Sequence, residues 1–223
     1  MVAAGNGEGV VSVARRVVQV ERAFLTQAVG FMLGRGIRQF LDLGCGKPGV
    51  GSPHDMGRLT GPAVRVIHVD YDAEVIERAR RVIAGTEHRY LVCRNVTDVS
   101  GLIETCQAAG MLDARRPTGV VAVGLLHLIP DANELLSRYS AELPRDSVFA
   151  ASHLTRCFKD DDSGAAAKLI GGPVYPRQRQ EIAEMFDGLA LVKPGIVALP
   201  HEWGTPAKSI AGAPVLAGIA VKQ

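Results

Sequence analysis

The chain has 223 residues, 47% of them hydrophobic and 22% charged, with a formal net charge of +2 at pH 7. That size and balance suit one globular domain with a short appendage and exclude a disordered or fibrous chain. The longest apolar run, Gly119 to Ile129, falls short of the ~20 residues that a bilayer span needs. The first residues also lack the charged and apolar regions of a secretory leader, and Lys and Arg are dispersed rather than gathered in a stripe. The expected setting is therefore cytoplasmic, with neither a membrane nor a nucleic acid as partner.

Residues 1–36 read as an N-terminal helical segment and residues 37–223 as the main domain. Val13, Val17, Val20, Phe24, Ala28 and Phe31 fall at helical spacing, which predicts one long helix over Val10–Leu33, stopped by Gly34 and Gly36. A homodimer interface is an alternative use for that helix. There follow the runs IRQFLDLG, VRVIHVD, RYLVCRN, GVVAVGLL and SVFAASHL, short and nearly continuous in apolar residues, as strands covered on both faces are. Helix-like segments lie between and around them at Pro53–Leu59, Ala73–Ala84, Val99–Ala108 and Ala132–Leu143. Alternating strand and helix predicts an α/β fold with a doubly wound, mostly parallel sheet, whose ligands bind at the carboxyl ends of the strands. Cys157 to Pro173 is polar and glycine-rich, an excursion of the kind that covers sites. A helix over Pro176–Phe186 and strands at Leu189–Val192 and Val215–Val221, the last pair antiparallel, complete a seven-stranded sheet. Cys45, Cys93, Cys106 and Cys157 are too far apart for a metal or redox pair, so no metal is expected and buried free thiols are.

The first strand runs into Gly44-Cys45-Gly46-Lys47-Pro48-Gly49, a D-x-G-x-G turn headed by Asp42. Glycines there let backbone N–H groups approach a ligand and permit positive φ, although a bare tight turn uses them too. Two acids set this turn apart. Asp42 at the strand end suits a ligand ammonium, and Asp70 closes the next strand, about 20 residues on, where nucleotide folds grip ribose hydroxyls. The glycine spacing is not G-x-G-x-x-G, which disfavours a dinucleotide. A helix start is expected at Ser52 and Pro53. After the third strand, Asn95 or the backbone of Val96 can meet a nucleobase edge, or form only a polar loop. After the fourth come Gly124 and His127, the latter a candidate general base or a histidine that only satisfies a hydrogen bond.

These stations, in this order, resemble the S-adenosylmethionine (SAM) posts of class I methyltransferases. More narrowly, FLDLGCGKPGVGSPHDMG, VIHVDYD, VAVGLLHLIPD and MFDGLALVKPGIVALPHEW resemble a bacterial family of S-adenosyl methyltransferases, over about Phe24 to Trp203. The resemblance implies SAM as cofactor, with Asp42, Gly44 and Gly46 around its methionine part, Asp70 on the ribose and Tyr71 against the adenine. Asn95 stands where that family usually has Asp, and the N-terminal segment is shorter than usual.

Methyl transfer is a direct displacement in which orientation supplies most of the rate. A base is needed only for a hydroxyl or ammonium acceptor, and His127, His153, Tyr71 and Tyr175 are the candidates. The expected activity is methylation of a small molecule, in secondary metabolism. One alternative is an enzyme that cyclises or cleaves the aminocarboxypropyl part of SAM, releasing methylthioadenosine and, for example, 1-aminocyclopropane-1-carboxylate or azetidine-2-carboxylate. A second is a SAM-binding module without turnover.

Overall fold

The structure is a computed structural model that describes residues 6–46, 59–60, 63–156, 172–199 and 214–223. Among these, helix α1 spans Asn6–Gly34 and strand β1 Gln39–Leu43. Then come β2 (Arg65–Asp70), α2 (Ala73–Ile83), β3 (Arg89–Cys93), α3 (Val99–Ala108) and β4 (Gly119–Ala122). A single 3-10 turn at Leu126–Leu128 leads to α4 (Leu135–Glu142) and β5 (Val148–Leu154). The chain closes with α5 (Arg179–Glu184), the two-residue strands β6 (Ala190–Leu191) and β7 (Val197–Ala198), and β8 (Val215–Val221).

The strands form one sheet in the order β3-β2-β1-β4-β5-β8-β6, with β7 paired to β8 off that path. β1 to β5 are parallel, and β8 runs antiparallel to β5, β6 and β7. This is the expected doubly wound sheet; β7 adds an eighth strand that its two residues were too short to signal. Hydrophobic residues alternate between two cores. Leu41, Leu43, Ile67, Val69, Ala122 and Phe149 pack beneath α3 and α4. Phe40, Val66, Val121, Val148 and Ala150 face α1, through its Val20, Phe24, Leu25, Ala28 and Met32. Burial of both sheet faces explains the unbroken apolar runs.

Several boundaries depart from the sequence reading: α1 begins at Asn6 rather than Val10, and β6 keeps only Ala190–Leu191 of Leu189–Val192. GVVAVGLL leaves the sheet after Ala122, because Gly124 takes φ +73 and the chain coils into the 3-10 turn. Residues 132–134 stand outside α4. α5 begins at Arg179 rather than Pro176, because Arg177 is still extended, bridged to Thr155, and Gln178 forms the capping box with Glu181. Cys93 is exposed whereas Cys45 and Cys106 are buried and free. Ser52, Pro53, His54, Asp55, Cys157 and Trp203 lie outside the described residues, as does most of the excursion expected between Cys157 and Pro173.

The sheet centre is pinned by a buried amide. The Gln39 side chain, at the foot of β1, donates to the Asp113 and Arg116 carbonyls and to Thr118 Oγ1, and accepts from the Asp113 N–H. It thereby holds the loop that delivers β4 beside β1. The first residue of β4, Gly119, lies under α1: a Cβ there would stand 2.8 Å from the Phe40 ring and 2.9 Å from Met32 Sδ. Gly119→Ala is therefore expected to overpack this contact and lower stability by about 1–3 kcal/mol, read as a fall in the urea midpoint.

Candidate functional site

Parallel pairing aligns the carboxyl ends of β1 to β4 along one edge of the sheet, and the glycine turn, Asp70, Asn95, Val96 and Gly124 lie at or just past those ends. Gly44 and Gly46 have φ +66 and +65, the left-handed region that glycine enters without strain. At Gly44 a Cβ would also come within 2.6 Å of Leu125 Cδ1, so the turn packs directly on the segment after β4. Among the described residues, the nearest atom to such a Cβ on Gly46 is the Gly44 carbonyl oxygen at 3.6 Å.

Asp70 joins the turns. Its Oδ2 accepts the Gly46 N–H and its Oδ1 the Asp72 N–H, both at 3.0 Å, and the carboxylate is buried at the sheet edge. The backbone thus fixes the acid beside the glycine turn. Tyr71, the next residue, is 77% exposed, a free aromatic face on the rim. Asn95 folds its Oδ1 back onto the Thr97 N–H and hydroxyl, closing an Asx turn, while buried Val96 is held through its carbonyl by the Tyr139 hydroxyl at 2.8 Å.

Asp42 is more enclosed than its expected ammonium contact requires. It is 2% exposed, on the sheet face covered by α1, and its Oδ2 lies 2.8 Å from His68 Nδ1 on the neighbouring strand. His68 is fully buried, and its Nε2 has no hydrogen-bond partner among the described residues. Burial and the Asp42 and Asp70 carboxylates push the Cys45 thiol up, so it stays protonated and is no nucleophile.

The histidines sit under the rim rather than on it. His153 is buried, with Nδ1 2.8 Å from the Leu154 carbonyl and Nε2 3.0 Å from Arg177 Nη1. A carbonyl only accepts and a guanidinium only donates, so Nδ1 carries the proton and the Nε2 lone pair is occupied. Burial, then Arg177, lowers its pKa to about 4, against the Leu154 hydrogen bond and Glu181, which raise it. His127 stacks edge-on against that ring, centroids 5.8 Å apart, and its buried Nδ1 has no partner among the described residues. Burial, then His153 and Arg177, lowers its pKa to about 3, so at neutral pH it is an uncharged and weak base. Arg177, itself buried, also donates to the Ile129, Pro130 and Tyr175 carbonyls. The Tyr175 N–H donates to the His127 carbonyl at 2.7 Å, which sets the exposed Tyr175 beside the turn after β4.

A residue outside the sequence-based set completes the site. Glu21 of α1 is 4% exposed. Its Oε1 accepts the Ser152 hydroxyl at 2.7 Å, and Ser152 Oγ accepts the Gly124 N–H at 2.8 Å. A Cβ on Gly124 would stand 3.1 Å from Glu21 Oε2, so that oxygen overhangs the end of β4. Burial raises the Glu21 pKa from 4.5 to about 7, against the lowering effect of the Ser152 bond. The signal was in the sequence: position 21 falls on the apolar stripe between Val17 and Phe24, where a carboxylate is costly without a purpose.

A glycine cradle, an acid clasped beside it, and a polar turn and an aromatic ring along the same edge have the donors and acceptors for an adenosyl ligand, and they fit SAM. Fold and site define a SAM-dependent transferase of the class I methyltransferase fold. A family model described as S-adenosyl methyltransferase matches residues 2–223, and the chain belongs to that family. A crystal structure of a candidate methyltransferase from Thermobifida fusca YX superposes with a TM-score of 0.80 at 27% identity, over 93% of this chain and 82% of that one. A DUF574 family protein from Streptomyces avermitilis MA-4680 gives 0.79 at 28%, over 92% and 83%. Burkholderia thailandensis 1,6-didemethyltoxoflavin-N1-methyltransferase, solved with 1,6-didemethyltoxoflavin and S-adenosylhomocysteine, shares the fold at 0.55 and 21%, over 100% and 92%. The search of curated proteins gave no match.

The raised pKa of Glu21 has a consequence for the ligand-free protein. A carboxyl whose folded pKa exceeds its unfolded value contributes stability that is complete below the unfolded value and lost as pH rises through the folded one, here from 4.5 to about 7. Glu21→Gln keeps the acceptor for Ser152 and removes the charge. Its melting temperature at pH 8 is expected to exceed that of the native protein, on the order of 5 °C, with the gap closing towards acid pH in a calorimetric series.

Proposed function

We propose that the chain methylates a small molecule, as part of secondary metabolism, in a domain of residues 37–223 to which the N-terminal helical segment contributes one wall of the site. The observation that carries the reading is the clasp of Gly46 on Asp70, which presents a glycine cradle and a ribose-binding acid as one rigid unit. The family membership and the small acceptor bound in the B. thailandensis enzyme support it.

SAM supplies an activated methyl group on a sulfonium. In this reading Asp42, Gly44, Gly46 and Gly124 surround its methionine part, Asp70 holds the ribose, and Tyr71 with Asn95 and Val96 flanks the adenine. Tyr175, exposed beside the turn after β4, orients the acceptor. His127 and His153, uncharged and buried, shape the floor through Arg177 rather than move protons. With no strong base required, the residues act by alignment and by excluding water.

Two experiments test the reading. Purified protein is incubated first with SAM alone and then with methyl-deuterated SAM and the small-molecule fraction of a cell extract, each followed by mass spectrometry. SAM is expected to persist alone, and with extract the label is expected to appear on a small molecule as S-adenosylhomocysteine accumulates. Methylthioadenosine formed at turnover from SAM alone would replace methyl transfer by cleavage or cyclisation. In the second, Asp70→Asn retains one acceptor and loses the charge. It is expected to weaken SAM binding about ten- to a hundredfold in calorimetry.

A further inference from the structure

The buried acid on α1 has no role in the reading above. Glu21 Oε1 is satisfied by Ser152, whereas Oε2 makes no hydrogen bond and no ion pair among the described residues, although the side chain is almost fully enclosed. From the strands that α1 packs on, the Ser152 hydroxyl of β5 and the backbone at Gly124, just past β4, face this carboxyl, and among the described residues no charged group contributes to its titration. Asp42 and His68, on the same face of the sheet, are joined to one another. A lone buried carboxylate is costly, and it persists where a cation arrives to compensate it.

The free oxygen overhangs Gly124, whose positive φ turns the backbone away, and Gly44 touches Leu125 immediately beyond. The cradle assigned to the methionine end of SAM and the unpaired carboxylate therefore share one corner. The amino-acid end of that ligand carries an α-ammonium. We propose that Glu21 is the counter-ion that holds the α-ammonium of SAM, the contact that Asp42, paired with His68, does not supply alone. The inference rests on SAM binding and is independent of the reaction that follows.

It predicts proton-linked binding. Pairing with an ammonium favours the ionised carboxyl, so a Glu21 that is partly protonated in the free protein releases its proton when ligand binds. Calorimetry at pH 6.5 in two buffers of different ionisation enthalpy, with SAM, S-adenosylhomocysteine and methylthioadenosine as probes, reads this directly. The native protein is expected to release about half a proton or more on binding the first two and none on binding the third, which lacks the amino acid. Its affinity for SAM is expected to fall towards tenfold per unit below pH 7.

Glu21→Gln is expected to bind SAM and S-adenosylhomocysteine about ten- to a hundredfold more weakly, without the pH dependence, and to leave methylthioadenosine unaffected. Its melting curve reports folding independently. Unchanged SAM affinity in Glu21→Gln, or an equal loss for methylthioadenosine, would overturn the proposal while leaving SAM binding intact. Failure of the native protein to bind SAM would overturn both.

Discussion

The site depends on how the ends of β1 and β2 are tied. Parallel strands must be returned by crossovers, so their carboxyl ends collect along one edge, but collection alone gives a ragged rim of turns. The hydrogen bond from the Gly46 N–H to Asp70 converts two of those turns into one rigid unit, and the second Asp70 oxygen anchors the start of α2 through the Asp72 N–H. Around that unit the other turns are fixed from behind: Val96 by Tyr139, and Gly124 by Ser152 and Glu21. Each turn of the candidate site is thus held by a group from the layer behind it, the arrangement that keeps a surface preorganised.

Much of this was legible in the sequence because it is local. Five apolar runs and their intervening helices mark the parallel sheet, and the D-x-G-x-G turn followed by Asp70 marks the edge that carries the candidate site. The less legible part concerns partners. Asp42 reads as a group for a ligand ammonium, yet the pairing register sets it opposite His68 on β2, and register is a property of two strands at once. His127 and His153 read as bases near the site. Only the assembled core reveals that one has its lone pair taken by Arg177 and that the other is enclosed beside it. Glu21 lies more than a hundred residues away in sequence from the groups it meets, Gly124 and Ser152; its one local trace is a charge on an apolar stripe.

Arg177 gives the strap before α5 a structural purpose. Its guanidinium reaches carbonyls of the segment after β4 and the ring at the end of β5, so residues 175–177 are stitched to the site from two sides. The extended backbone that this requires is also why the helix starts later than its proline suggests.

The position of β8 bears on how the chain is made. β8 follows every other strand in chain order, yet it lies between β5 and β6 and covers the whole length of β5. During synthesis, therefore, β5 emerges with one edge paired to β4 and the other bare, and it stays so until residue 221 has cleared the ribosome. A bare edge of seven apolar-rich residues is a template for pairing with other chains. Nascent chains of this topology thus have an interval in which a holding chaperone has a defined ridge to protect, and slow translation between β5 and β8 lengthens that interval.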